Sequence, residues 1–339
     1  MDTTDTSGQL EEALERLHAA GPEREGWLSN HAPMVVEALA AHGHAGAAHR
    51  WVDQYRHKLE DFPDRLAPVT DDNWPSALGD PRRITDWTDH FSRTLADRPW
   101  RDVLAEWWPR LLPGMYGGAT HVIIRVGHAV RALEAGETAP RRTELAHALG
   151  YWAARHQPVT GFAVLPGAPT ARESLDAVPV IAKGHLGFLD RLAAVHRLPV
   201  WADDITDPDL ARERLTELVR ATTHRYATHA HGEPTMLVHA ATAPNAVLRT
   251  LDSLPRDQWA PSLRAAWTAS AAVTAMYAPD EPVAYRPTAR LTAEEVMERA
   301  LAHGDEHVIK LTDTALDVGD DLALAAAQRA IELSEPLVS

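Results

Sequence analysis

Apolar side chains recur every three or four positions along most of this chain, whereas stretches in which apolar and polar residues alternate are scarce. The segment 7–20 is typical, since Leu10, Leu14 and Leu17 fall on one face of a helix. A period of 3.6 residues is the spacing of an amphipathic α-helix, and strict alternation is that of a half-buried strand. The pattern therefore predicts an all-α protein.

Capping and turn residues divide the pattern into separate helices. Asn30 is a predicted N-cap and Gly43 a predicted stop of the second helix, and Thr292 with Glu295 forms the sequence of a capping box. The segment 157–179 is the least regular and is predicted to be a loop at the edge of a pocket. After the first helix at 7–20, helices are predicted at 30–43, 45–60, 84–97, 100–113, 117–136, 141–156, 186–196, 208–228, 235–242, 246–254, 258–277, 292–302, 305–317 and 321–333.

The length of 339 residues allows one large domain or two of ordinary size. Neither a repeat of fixed period nor a long low-complexity linker interrupts the predicted helices. We therefore expect residues 1–339 to form a single large multi-helix domain, in which functional side chains converge from several helices.

Composition narrows the class of protein. With 33 basic and 48 acidic residues the formal net charge is −15, which argues against a nucleic-acid partner, because binding to a phosphate backbone requires a basic surface. The sequence contains neither a long apolar run nor a signal-peptide pattern, so we expect a cytoplasmic protein without a membrane partner. It has no cysteine, so a bound metal would be held by nitrogen and oxygen ligands.

Histidine is the most informative residue type, with 19 in the chain. Several lie among charges or at helix ends, where solvated or capping roles are expected: His18, His42, His44, His57, His147 and His224. Others have apolar neighbours that predict burial: His31, His121, His128, His239 and His307. A buried imidazole needs a partner, which is either a backbone carbonyl or a metal ion. Imidazoles that project inward from several helices would suit iron, zinc, copper or nickel.

Lys310 is unusual because the 33 basic residues comprise 30 Arg and only three Lys. It follows His307 by three positions, so the two side chains share a face of the predicted helix. One interpretation is an ammonium that reaches solvent or pairs with Asp313 or Glu306. The other is a buried, neutral amine, because burial penalises the charged form. Such an amine reacts with carbon dioxide to give a carbamate, an anionic oxygen ligand that arginine cannot form.

Five separated blocks, in this order, resemble the questin oxidase-like family: NHAPMVVEAL, WWPRLLPGMYGGATHVIIRVGHAVRAL, YWAARHQ, HAATAPNAVL and DEHVIKL. The resemblance extends from about residue 10 to 318. The family includes enzymes that oxidatively open the rings of anthraquinones and related polyketides. One branch is understood to use non-haem iron held by several histidines and a carboxylated lysine, in a largely helical fold.

Transferred residue by residue, the resemblance implies five metal ligands: His31, His121, His239, His307 and a carboxylated Lys310. His128 also lies in a matching block and could replace one of these ligands or face the substrate. The implied cofactors are Fe(II) and O2, with NADPH possible.

Further side chains are candidates for contact with the substrate. His128, Arg125 and His185 could deprotonate a phenol or hold a quinone oxygen, and Lys183, beside His185, is a weaker alternative to Lys310. Aromatic residues could form a wall of the site, although each is more simply explained as core: Trp107, Trp108, Tyr116, Tyr151 and Trp152.

Together the residues and the resemblance predict a non-haem iron-dependent oxygenase that cleaves a C–C bond of an aromatic polyketide, such as an anthraquinone, in secondary-metabolite biosynthesis. One alternative is an NADPH-dependent Baeyer–Villiger-type monooxygenase of the same substrates. Others are a non-catalytic helical ligand-binding protein and a zinc hydrolase with the same ligands. The exact substrate, the regiochemistry and the oligomeric state are open at this point.

Overall fold

The computed structural model describes residues 7–182 and 187–337. Backbone contacts divide these residues into two compact units. The first comprises residues 7–158, 252–254 and 337, and the second comprises residues 159–251 and 255–336 apart from the four that are not described. Two compact units can belong to one domain, so the single domain of residues 1–339 stays a prediction.

The first unit is helical, with one small antiparallel hairpin that pairs Glu23 with Ser29. Its strands are β1 (Glu23–Arg24) and β2 (Leu28–Ser29). Its helices are α1 (Ser7–Leu17), α2 (Ala32–Ala41), α3 (Ala48–Tyr55), α4 (Trp74–Ala77), α5 (Ile84–Asp97), α6 (Trp100–Leu111), α7 (His121–Ala135) and α8 (Ala139–Ala154). Helix α7 packs against α2 and α8, and α8 also packs against α5. The core of this unit lies between these helices, because their apolar faces are turned towards one another.

The second unit is also helical, with one short parallel strand pair that aligns Ala163 with Arg197. The strands are β3 (Ala163–Leu165) and β4 (Arg197–Pro199). The helices are α9 (Ala171–Asp176), α10 (Phe188–Ala193), α11 (Pro208–His229), α12 (Pro234–Thr250), α13 (Trp259–Tyr277), α14 (Ala293–His303), α15 (Glu306–Val318) and α16 (Asp321–Leu333). Helix α12 is central, since α11, α13 and α15 all pack against it.

The predicted all-α class is confirmed, because the strands of the described residues are only two or three residues long. The predicted capping box is also present: the Thr292 hydroxyl accepts a hydrogen bond from Glu295 N, and Glu295 accepts one from Thr292 N. No helix in the described part of the chain combines the length and the apolar character that a membrane span requires.

Three local predictions were wrong. The N-cap of α2 is His31, one residue after Asn30, although the Asn30 side chain still accepts a hydrogen bond from Ala32 N at 3.0 Å. The segment 157–179 is not entirely loop, since it contains β3 and α9. The helices predicted at 235–242 and 246–254 are largely one helix, α12, which continues through Pro244.

Helix α12 tolerates Pro244 because another helix uses the carbonyl that the proline leaves without an amide donor. Proline lacks the N–H that would bond the carbonyl four residues earlier, which is Ala240 O. In this structure the Ser270 hydroxyl of α13 donates to Ala240 O at 2.9 Å. The hydrogen bond lost within the helix is replaced by one between helices, so His239, which precedes Ala240, stays in regular helix.

Candidate functional site

In the first unit, two of the predicted ligands form a pair. His31 caps α2 and His121 begins α7, and both are buried. Their rings stack with centroids 4.5 Å apart and an interplanar angle of 15°. One ring nitrogen of each lies within 4.8 Å of the other, which two ligands of one metal ion would require. In the sequence these two histidines are 90 positions apart.

The backbone that leads into His121 is a tight turn, Gly117–Thr120, whose last three residues are left-handed. Its two glycines are needed for space: a Cβ on Gly117 would collide with the carbonyl oxygen of Arg155, and one on Gly118 would lie 2.8 Å from the Tyr151 hydroxyl. The following two residues are not glycine, yet Ala119 has φ 53° and Thr120 has φ 72°. A left-handed backbone costs about 1–2 kcal/mol for each such residue.

This turn also fixes the imidazole of His121. The His121 Nδ1 lies 2.5 Å from the carbonyl oxygen of Gly118. Because a carbonyl only accepts hydrogen bonds, Nδ1 must carry a proton, and in the neutral ring the lone pair is then on Nε2. A histidine that donates from one nitrogen to a carbonyl and presents the other nitrogen is the usual arrangement of a metal ligand.

In the second unit, His239 of α12 and His307 of α15 form a similar pair. Their ring centroids are 5.5 Å apart and the rings are nearly perpendicular, at 82°. His239 is completely buried, and its Nδ1 donates to Met236 O at 3.0 Å, which again leaves the lone pair on Nε2. The tautomer of His239 is therefore the one that His121 adopts.

Two carboxylates accompany His307 at the start of α15. Asp305, Glu306 and His307 each offer a ligand atom within 4.8 Å of the others. Asp305 is the N-cap of the helix, since it accepts hydrogen bonds from the amides of His307 and Val308 at 3.0 Å. Glu306 is buried and was not predicted as a ligand, although its position directly before His307 was the available signal.

Lys310 lies one turn further along α15 and is completely buried. Its Nζ has no hydrogen-bond partner among the described residues. Burial lowers the pKa of Lys310 to about 7, and the negative charges of Glu306 and Asp305 oppose this shift only in part. Asp313, which the sequence offered as an ion-pair partner for Lys310, instead pairs with Arg249 at 2.9 Å. The interpretation of Lys310 as a buried amine therefore agrees with the structure better than a Lys310–Asp313 ion pair does.

Two of the residues predicted to contact substrate, His128 and Arg125, are each paired with a buried carboxylate in the first unit. The Nδ1 of His128 donates to Glu37 at 2.6 Å, and Arg131 also holds Glu37. Burial alone would raise the pKa of Glu37, but the charge of Arg131 and the hydrogen bonds from His128 and Arg131 lower it to about 2.

Arg125 holds both oxygens of Glu144, at 2.6 and 2.9 Å. These contacts give His128 and Arg125 structural partners, and their catalytic roles stay predictions. His185 and Lys183 lie outside the described residues.

The aromatic residues considered for the wall of the site are all buried. Trp108 and Trp152 pack edge to face with centroids 5.2 Å apart. The Tyr151 hydroxyl lies 2.7 Å from the Ser29 hydroxyl, beside Gly118. In the first unit these side chains belong to the core, as the simpler explanation held.

Two comparisons with known proteins bear on the identity of the chain. No curated protein matches it. The model of the family described as questin oxidase-like matches residues 28–162, which include His31, His121, Arg125 and His128. The blocks around His239 and Lys310 lie beyond the matched residues. Over residues 28–162, which are less than half of the chain, the resemblance to the questin oxidase-like family that the sequence blocks predicted is therefore confirmed.

Proposed function

We propose that this protein is a non-haem iron-dependent oxygenase that cleaves a ring of a hydroxylated aromatic polyketide. The observation that carries the proposal is Lys310: a fully buried lysine, without a hydrogen-bond partner among the described residues, one turn after His307. A buried amine without a hydrogen-bond partner is costly to the fold, so its presence favours a chemical role. The match of residues 28–162 to the questin oxidase-like family supports an oxidative reaction on a polyketide.

The proposed ligands of the metal are those predicted from the sequence: His31, His121, His239, His307 and Lys310. Within each unit the donors fit iron. The hydrogen bonds from Nδ1 leave the lone pairs of His121 and His239 on Nε2, and imidazole nitrogen is a suitable ligand for Fe(II). Bound Fe(II) would supply the activation of O2, whose direct reaction with the aromatic ring is otherwise slow.

Lys310 would act as a carbamate. Its neutral amine attacks carbon dioxide, a C–N bond forms as one C=O π bond of carbon dioxide opens, and the nitrogen passes a proton to water, so the product carries one negative charge. In a buried position next to Glu306 that charge is favourable only if a cation accompanies it. A metal ion meets this requirement, and carbamate formation and metal binding are therefore expected to depend on each other.

His128 would act as the proton acceptor for a phenol of the substrate. Its Nδ1–H is held by the ionised Glu37, which fixes the ring and stabilises the imidazolium that proton transfer would create. Arg125 already bonds both oxygens of Glu144, so a role in holding a quinone oxygen would compete with that ion pair. For this reason His128 is preferred to Arg125 as the group that acts on the substrate.

The test is metal analysis of the protein purified under anaerobic conditions with Fe(II), together with oxygen consumption in the presence of a hydroxylated anthraquinone. The wild type should contain iron, and His121→Ala and Lys310→Ala should lose both the metal and oxygen consumption. His57→Ala is the matched control, because His57 is exposed. Formation of the carbamate can be followed separately by ¹³C NMR after addition of ¹³C-bicarbonate.

Each alternative has its own result in this experiment. Full activity of His121→Ala or Lys310→Ala would contradict the proposed ligands. Turnover only after addition of NADPH would favour the monooxygenase alternative. Bound zinc without oxygen consumption would favour a hydrolase, and ligand binding without metal would favour a non-catalytic protein.

A further inference from the structure

The backbone of the turn before His121 is strained, and the local sequence does not predict this strain. Gly118, Ala119 and Thr120 have successive φ values of 54°, 53° and 72°. Among the described residues only four non-glycine residues have positive φ, and two of them are Ala119 and Thr120. Thr120 is the more extreme, since a β-branched side chain rarely adopts this conformation.

Thr120 has a second unfavourable feature. The residue is completely buried, and its hydroxyl has no hydrogen-bond partner among the described residues. Backbone strain and a buried polar group without a partner are both destabilising, and they coincide at the residue directly before His121. Strain of this kind persists only where the surrounding structure imposes it, and it concentrates at functional sites.

The strained turn has a direct structural effect on His121. It brings the carbonyl of Gly118 to 2.5 Å from the His121 Nδ1, which selects the tautomer and the orientation of the ring. Glycine at positions 119 and 120 would adopt the same φ values without strain, but it would also allow other conformations of the turn. The side chains of Ala119 and Thr120 restrict that freedom, because both are buried and other conformations of the turn would have to move them within a close-packed interior.

We propose that Ala119 and Thr120 are positioning residues: they hold a strained left-handed turn in one conformation and thereby fix the His121 imidazole with its lone pair on Nε2. The proposal rests on the proposed function, in which His121 is a metal ligand. According to this proposal, the strained turn lowers the stability of the protein and at the same time holds the His121 ring in one orientation. Relief of the strain should therefore make the protein more stable and its metal site weaker.

The experiment compares Ala119→Gly with Ala202→Gly. Ala202 has φ 58° and lies in the second unit, so the two substitutions relieve the same kind of strain, but only one does so beside His121. Three quantities are measured: the melting temperature of the metal-free protein, the ¹H–¹⁵N spectrum of its histidine rings, and the dissociation constant for Co(II). Co(II) serves as a probe with a visible absorption band that reports the geometry of its ligands.

Both variants are expected to melt higher than the wild type, by roughly 2 °C. Only Ala119→Gly should bind Co(II) about tenfold more weakly, because residues that orient a metal ligand without contacting the metal typically contribute this much to the affinity. Its Co(II) absorption band should also differ from that of the wild type. In metal-free Ala119→Gly the His121 ring should show exchange between tautomers, whereas in wild type and Ala202→Gly it should be fixed. If Ala119→Gly fails to fold, Thr120→Gly is used, which also removes the buried hydroxyl.

The proposal is overturned if Ala119→Gly binds Co(II) as tightly as Ala202→Gly and keeps the same histidine spectrum. It is also overturned if the variant is less stable as well as weaker in binding, since that is the behaviour of an ordinary structural turn. A wild type that binds no Co(II) would contradict the proposed function instead. The tautomer of metal-free His121 would then still decide whether the turn fixes the ring.

Discussion

The His128 Nδ1 donates a 2.6 Å hydrogen bond to a carboxylate oxygen of Glu37, and both residues are buried. This contact joins α2, which His31 caps, to α7, which begins at His121. The helices are therefore connected twice, by the stacked histidines and by Glu37. A structural link so near the histidine pair should influence how well that pair binds a metal.

Glu37→Gln is expected to weaken Co(II) binding about tenfold, because the variant loosens the connection between the helices that carry His31 and His121. Glu144→Gln is the matched control. Glu144 is equally buried and also paired with an arginine of α7, but it lies on α8, which carries no predicted ligand. Glu144→Gln should lower the free energy of unfolding by about 3 kcal/mol, since it leaves the buried Arg125 without its partner, and Glu37→Gln should lower it by less, since Arg131 is only partly buried. Equal Co(II) affinities of the two variants would contradict the prediction.

His147 should make stability depend on pH, contrary to the solvated role that the sequence suggested. It is buried beside His18, and burial followed by the charge of Arg125 lowers the pKa of His147 to about 3. The unfolded chain takes up this proton near pH 6.5, whereas the folded protein does not. The stabilisation is thus complete above pH 6.5 and is lost as the pH falls towards 3, by about 1.4 kcal/mol per pH unit.

His147→Gln should accordingly flatten the pH dependence of stability between pH 6.5 and 4.5, measured by urea unfolding. This window lies above the range in which Glu144 contributes, because the pKa of Glu144 falls from 4.5 to about 2 when the chain folds. His57→Gln should leave the slope as in wild type, because His57 is exposed. An unchanged slope in His147→Gln would show that the ring is protonated in the folded protein.

Lys310→Met should stabilise the metal-free protein by about 2 kcal/mol, because it replaces a buried amine by an apolar group of similar size. Lys310→Arg should have the opposite effect and destabilise it by several kcal/mol, since a guanidinium keeps its charge when buried. Both variants should lose iron and the ¹³C-carbamate signal. Denaturant unfolding of the metal-free forms is the measurement, with the partly exposed Lys58→Met as the control expected to change stability little. Destabilisation by Lys310→Met would mean that the amine has a stabilising partner.

Arg249→Met should destabilise the second unit by about 3–5 kcal/mol, because the fully buried Asp313 would lose its ion-pair partner. The double variant Arg249→Met with Asp313→Asn should recover part of this loss, since the remaining amide carries no charge. A double-mutant cycle by urea unfolding measures the coupling. Additive effects of the two substitutions would contradict the assignment of Asp313 to Arg249.

Helices with a strong apolar period were predictable from sequence. The predicted bounds 305–317 and 321–333 agree closely with α15 (Glu306–Val318) and α16 (Asp321–Leu333). Such helices are determined by neighbours three and four positions apart, which sequence displays directly. At Pro244 the sequence predicted a break that α12 does not have. The hydrogen bond that replaces the one lost at the proline comes from Ser270, which lies 26 positions after Pro244.

The candidate site, like the helices, was predictable from sequence only in part. Sequence singled out the histidines and Lys310 by their apolar neighbours and by the rarity of lysine in this chain. It did not reveal that His31 stacks on His121, that His239 lies against His307, or that Asp313 pairs with Arg249. The left-handed turn at Ala119 and Thr120 was equally hidden, since neither residue type favours that conformation.

The sequence by itself thus determined the strongly periodic helices and the chemical groups, because periodicity and residue type are local properties of the chain. The tertiary structure decided which groups meet and in which protonation state. Packing between helices selects one partner for each side chain, and it imposes burial and backbone strain that no local preference predicts.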